Sequence, residues 1–166
     1  MKRVSFDGMS CSIARSLETI GEWWTPLIVR EVFFGRRRFD EIQGDLGISR
    51  NILTDRLTTL VEDGVLEKRN IAQTGTRWEY HLTDKGRDLF PVLVSLMQWG
   101  DRWAGDDDKG PPVLFEHRSC GHDADALFTC SHCGEALTSE SLRARRGPGW
   151  ADDPHHPLAH RDTRPT

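Results

Sequence analysis

Over the first hundred positions, apolar residues recur mostly at intervals of three and four, the repeat of one face of an α-helix. Ile13, Leu17 and Ile20 share such a face, and Gly21 breaks the run. Leu27, Ile28, Val29, Val32 and Phe33 then follow so densely that their segment is apolar nearly all round, as a buried central helix should be. Pro26 is tolerable near the start of that helix, where its missing N–H has no partner to lose, and Gly35 ends it. Phe39, Ile42 and Leu46 predict a short third helix, Gly47 a turn and Ile48 a core plug. Ser49 suits an N-cap, its hydroxyl accepting from an orphan N–H of the next turn. The fourth helix places Ile52, Leu53, Leu57, Leu60 and Val61 inward and Arg50, Asn51, Thr54, Asp55, Arg56 and Thr58 outward, and Gly64 closes it.

Residues 65–70 and 77–82 read as short strands, with residues 72–76 and Gly75 as the turn between them. Thr83 is expected to cap a last long helix that carries Leu89, Val92, Leu93, Leu96, Trp99 and Trp103 at helical spacing. Pro91 inside that helix should kink it. A stripe this apolar needs a partner, either the core or a second subunit. The order helix, helix, helix, turn, helix, hairpin is that of a winged helix-turn-helix. A helix so placed can enter the major groove of DNA. The expected fold class is α+β, mainly α: a winged helix-turn-helix with a long C-terminal dimerisation helix and a small zinc-ribbon-like appendage.

At 166 residues the chain suits one domain with a small addition. We expect a loose arm over residues 1–9, the DNA-binding and dimerisation domain over 10–104, and a linker, GDDDKGPP, over 105–112. A second unit over 113–142 and a disordered tail over 143–166 follow. No run of about 18 apolar residues occurs, and no apolar stretch follows the first charges, so a cytoplasmic protein without membrane attachment is expected. The formal net charge of −4 counts against a uniformly basic DNA-binding surface. Local charge decides binding, and Arg36, Arg37, Arg38, Arg50, Arg56, Lys68, Arg69 and Arg77 are candidates for a basic face. No nucleophile elbow, phosphate-binding glycine loop or paired catalytic carboxylates are visible, so an enzyme is not expected.

Three constellations carry chemistry. On the fourth helix, Ser49, Arg50, Asn51 and Thr54 lie at the end that reaches bases; Arg can pair with guanine and Asn with adenine. Arg56 follows on the same helix, Arg37 and Arg38 precede the third, and Arg69 and Arg77 flank the wing. The second constellation is His117-x2-Cys120, nine residues, then Cys130-x2-Cys133, each pair followed by a glycine. That spacing suits a structural zinc ion (Zn2+) with four closed N/S ligands, with His122 and His132 as alternative fourth ligands. The bland alternative is reduced thiols or a disulfide. The third is Cys11, either a small buried hydrophobe or, at a helix N-terminus, a reactive thiol. His155, His156 and His160 in the tail read as incidental.

The stretches CSIARSLETIGEWWTPLIVREVFFGRRRFDEI, ISRNILTDRLTTLVEDGVLEKR and EYHLTDKGRDLFPVLVSLMQWGDRW resemble the HxlR family of bacterial transcriptional regulators, relatives of the MarR regulators. The motifs are a cysteine opening the first helix, a tryptophan before the buried helix, RF opening the third, and LT-x-x-G opening the last. The resemblance spans residues 10–104 and implies a homodimer, joined through the first and last helices, on a near-palindromic operator in double-stranded DNA. It also implies that Cys11 matches a cysteine with which some members sense oxidants. Ser12, where the family has Pro, and Glu22-Trp23, where it has Gly-Lys, depart from the pattern without touching the fourth helix. Two other readings stay open: a metal or thiol redox sensor acting through the C-terminal cysteines, and a winged helix that binds a protein partner. A small-molecule effector is left unidentified.

Overall fold

The computed structural model describes residues 5–6, 9–105 and 110–150. It divides into two compact units, Trp24–Phe128 and the pair of segments Met1–Trp23 and Thr129–Thr166. The expectations for most of the N-terminal arm, for the centre of the linker, and for the tail histidines lie outside the described residues.

In the larger unit, α2 (Trp24–Phe33), α3 (Phe39–Leu46) and α4 (Arg50–Glu62) lead into an antiparallel hairpin, β1 (Leu66–Asn70) and β2 (Trp78–Leu82). The core gathers Ile28, Val29 and Val32 of α2, Ile42 of α3, Ile48, then Leu53, Leu57 and Leu60 of α4, Val65 just before the hairpin, and Leu66 and Tyr80 on it. This is the expected winged helix-turn-helix, and Ile48 is the buried plug between helices. Gly47 takes φ 61° at the end of α3, the left-handed conformation that lets the chain turn sharply into α4. Ser49 caps α4, its Oγ accepting from the Ile52 N–H at 3.3 Å.

After the wing the structure departs from the expected single kinked helix. Thr83 caps a one-turn α5 (Asp84–Arg87), and a separate α6 spans Phe90–Trp103. Thr83 Oγ1 donates to the Gly64 carbonyl at 2.6 Å and accepts from the Gly86 N–H at 3.1 Å, pinning this turn to the start of β1. A Cβ on Gly86 would lie 2.2 Å from the Val65 carbonyl oxygen, so the LT-x-x-G motif is a close backbone approach. The chain turns at Asp88 and Leu89, and Pro91 sits in the first turn of α6, where it interrupts no helix ladder. Along α6, Val94 is buried, while Val92, Leu96, Trp99 and Trp103 are exposed. Residues 113–125 carry a two-residue hairpin, β3 (Glu116–His117) with β4 (His122–Asp123), and Phe115 meets the Phe90 ring edge-on at 5.7 Å.

In the smaller unit, α1 (Ser12–Ile20) has Cys11 at its N-cap and Gly21 at its C-cap. Ile13 and Leu17 are exposed on it and Ala14 is buried. Thr129 and Ala136 bridge across the turn that holds Cys130 and Cys133. No described helix is long and apolar enough to cross a membrane.

Candidate nucleic-acid interface

The buried face of α4 is set by Leu53, Leu57 and Leu60. Helical geometry then turns Asn51, Thr54, Asp55 and Thr58 outward, and all four are exposed. Ile52 departs from expectation. It is 40% exposed, because it sits about 100° around the helix from Leu53, at the edge of the inner face. The first turn of α4 therefore exposes a cation, an amide and an apolar group, Arg50, Asn51 and Ile52, fanned about 100° apart around the helix. These suit guanine, adenine and the thymine methyl. Thr54 Oγ1 donates to the Arg50 carbonyl at 2.8 Å, which leaves its hydroxyl oxygen able to accept. Ser49 Oγ is occupied by its own helix, so its contribution to a phosphate contact is the helix end it positions.

Arg50 ties this turn to the start of α3. Its guanidinium lies 4.7 Å from the Phe39 ring centre and 3.8 Å from Asp40 Oδ1. Just before Phe39, the backbone N–H groups of Arg38 and Arg37 donate to Glu41 Oε2 at 3.0 and 3.2 Å. The Arg38 N–H bond is the first cause of a Glu41 carboxyl held below its usual range, with the Arg37 N–H and the Arg38 and Arg36 charges adding to it. The Arg37 and Arg38 side chains are exposed at this corner. Arg56 is half-buried.

In the wing, Asn70 was not among the sequence candidates. Its Oδ1 accepts from the N–H groups of Ala72 at 3.1 Å and Arg77 at 3.0 Å, and its Nδ2 donates to Gly75. One amide thus braces the tip between Arg69 and Arg77; the signal was an Asn closing a strand before a Gly-containing turn. Lys68 lies over Trp78 at 4.8 Å, so its charge is held against an exposed ring. Negative charge is interleaved throughout: Arg36 pairs with Asp45, Arg69 with Glu67 and Arg87 with Asp84. No ion pair among the described residues holds Arg37 or Arg77.

The cysteine-bearing turns share one local geometry. Gly121 N–H donates to the His117 carbonyl at 2.8 Å, and Gly134 N–H to the Cys130 carbonyl at 2.8 Å. Both glycines take positive φ, 70° and 76°. In the first turn His117 Nδ1 lies 3.3 Å from Cys120 Sγ. In the second, hydrogen bonds from the Cys133 and His132 N–H groups pull the Cys130 thiol pKa down. Each turn thus presents an N/S or S/S donor pair of the kind zinc takes. Among the described residues, no group of three or more His, Cys, Asp or Glu side chains is gathered to hold a metal ion. All four cysteines are free thiols, and Cys11 is half-buried instead of enclosed.

The family model described as HxlR-like helix-turn-helix matches residues 19–108. An uncharacterised HTH-type transcriptional regulator of Mycobacterium tuberculosis is 45% identical over 139 residues, 84% of this chain and 87% of that protein. Another, YvaP of Bacillus subtilis, is 36% identical over 90 residues, 54% of this chain and 83% of its own length. Among solved structures, PA1607, a candidate transcription factor, is 40% identical with a TM-score of 0.77, covering 87% of this chain and all of that one. The redox regulator HypR in its reduced form is 28% identical with a TM-score of 0.52, over 55% of this chain and 92% of its own.

Proposed function

Because the chain belongs to the HxlR-like helix-turn-helix family of transcriptional regulators, we propose that it acts as a cytoplasmic homodimer on a near-palindromic DNA operator. The family is one of regulators, not of enzymes. The observation that carries the reading is the Ser49-capped first turn of α4, with Arg50, Asn51 and Thr54 exposed and Arg50 against Phe39 and Asp40 at the start of α3. In this reading α4 enters the major groove, and Arg50, Asn51 and Thr54 touch base edges. Arg37, Arg38 and Arg56 face backbone phosphates, with the α4 N-terminus presented by Ser49, and Arg69 and Arg77 carry the wing along the flank. A second copy of the chain covers the exposed stripe of α6, where Val92, Leu96, Trp99 and Trp103 recur at the spacing of a helix–helix seam. Selection of genomic fragments by the purified protein tests this. Enrichment of an inverted repeat with half-sites about one helical turn apart is expected; no enrichment, with weak binding at low salt, would favour a protein partner instead.

The reading includes a structural zinc ion, carried by the sequence spacing of His117, Cys120, Cys130 and Cys133 and by the matching turns around each pair. A metal bound there would fasten residues 113–142, which bury no side chain of their own. Metal content of the purified protein near one zinc per chain is expected, falling in Cys133→Ser.

One observation favours a redox-responsive version. Cys11 is a free, half-buried thiol at the N-cap of α1, and the similar structures include a redox regulator. Cys11→Ser should then keep operator binding and lose its sensitivity to diamide. Unchanged sensitivity would leave the C-terminal thiols as the responsive group.

A further inference from the structure

Away from the α4 reading turn, the larger unit holds a cleft of about 280 Å³ between the end of α2, the hairpin and α5. Its apolar wall includes Phe33 and Leu82, and its basic side is made by Arg37, Arg69, His81 and Arg87. Its volume is near the lower end of the ~300–1,000 Å³ typical of small-molecule sites. The topology explains the gathering. The register sets Glu67 opposite His81 and Arg69 opposite Glu79, so these four side chains share one face of the hairpin. The Tyr80 N–H donates to the Arg37 carbonyl at 2.8 Å, which lays the loop before α3 alongside β2.

Three of the four basic groups are braced. Arg69 pairs with Glu67, and His81 Nε2 lies 3.1 Å from Glu79 Oε2. Arg87 pairs with Asp84 and donates through Nη1 to the Leu82 carbonyl at 2.6 Å. None of these carboxylates is among the residues lining the cleft, and Arg37 has no ion pair among the described residues. Guanidinium forks beside an apolar wall match a compact phosphate on a small apolar body.

We propose that this cleft binds a small phosphate monoester, and that its occupancy weakens operator binding. The regulatory half rests on the reading above, because Arg37 and Arg69 are also assigned to DNA. A bound phosphate that engages both removes them from the duplex, and thermodynamic reciprocity makes DNA weaken the ligand equally.

Phenyl phosphate is the probe, titrated calorimetrically into the full chain, with phenol as the uncharged control and inorganic phosphate as the bare anion. Operator binding is then measured with and without phenyl phosphate at ionic strength matched with chloride. Saturable binding of phenyl phosphate at 1:1 per chain is expected, tighter than inorganic phosphate, with none for phenol. Arg87→Gln and, independently, His81→Gln should each weaken it at least tenfold while the selected operator is still bound specifically. Saturating phenyl phosphate should lower wild-type operator affinity at least fivefold. Equal binding of phenol, no saturable binding, or full affinity in both variants would overturn the site. Tight phenyl phosphate binding with unchanged operator affinity would overturn its regulatory role. Binding of phenyl phosphate by a protein that selects no DNA would leave the cleft standing and overturn the operator reading instead.

Discussion

The region from Trp24 to Leu82 and the region from residue 113 to residue 150 are built on different principles. The first packs eleven buried apolar side chains from three helices and a hairpin around one core. The second buries none; Leu127 and Phe128 are 77% and 61% exposed, and its order is that of tight turns closed by backbone hydrogen bonds. Apart from Phe115 against Phe90, apolar burial offsets little of the entropy of ordering these residues. The pairs His117/Cys120 and Cys130/Cys133 supply a chemical candidate for the rest. If the proposed zinc is bound, the core-built region should keep its fold without the metal and the cysteine region should not.

Core truncation gives the largest contrast. Leu57→Ala, at a side chain 1% exposed, should cost ~2–5 kcal/mol of stability in urea unfolding. Leu127→Ala should change it by less than ~0.5 kcal/mol. Equal losses would erase the distinction between the regions. Next comes Gly86→Ala: with the Val65 carbonyl 2.2 Å from the new Cβ, a loss of ~1–3 kcal/mol or more is expected in the same assay.

Chelation sharpens the contrast from the other side. EDTA should leave the helical signal of the larger region and its unfolding midpoint in place. It should increase proteolysis within residues 113–150. Unfolding of the helices on chelation would show that the two regions are not energetically separate. Smaller again, Asn70→Ala removes the brace of the wing tip. It should cost about 1 kcal/mol or less, because the site is exposed, and lower operator affinity a few-fold.

The smallest effect is at Glu41. Its folded pKa is depressed by the Arg38 and Arg37 N–H groups, so its contribution to stability is present above the unfolded value near ~4.3. That contribution is lost as pH falls through the folded value. Glu41→Ala should therefore lower stability at neutral pH slightly and flatten the acid limb of the stability profile. A limb of unchanged slope would remove Glu41 from the account.

Much of the larger region was legible because its signals are local. Phe39, Ile42 and Leu46, then Gly47 and Ser49, mark a helix, a turn and a cap within a dozen residues, and the structure places all of them so. Ile52 escapes a sequence reading because its apolar character suggests the core while the helix phase set by Leu53, Leu57 and Leu60 leaves it at the solvent edge. Periodicity alone makes Pro91 a kink, because the break before it depends on a tertiary contact, Thr83 and Gly86 against residues 64–65, which no local pattern reveals. The basic cleft was invisible for the same reason, since residues 37, 69, 81 and 87 meet only through hairpin register and the loop beside β2.

The most direct test of the central claim is salt-titrated binding of the selected operator and a scrambled duplex by the wild-type chain and Asn51→Ala. The account predicts a steep fall of wild-type affinity with salt on both duplexes, with the operator favoured throughout. It predicts a loss of ~1–3 kcal/mol on the operator in Asn51→Ala and almost none on the scrambled duplex. Equal loss on both duplexes, or none on either, would contradict the placement of α4 as the element that reads sequence.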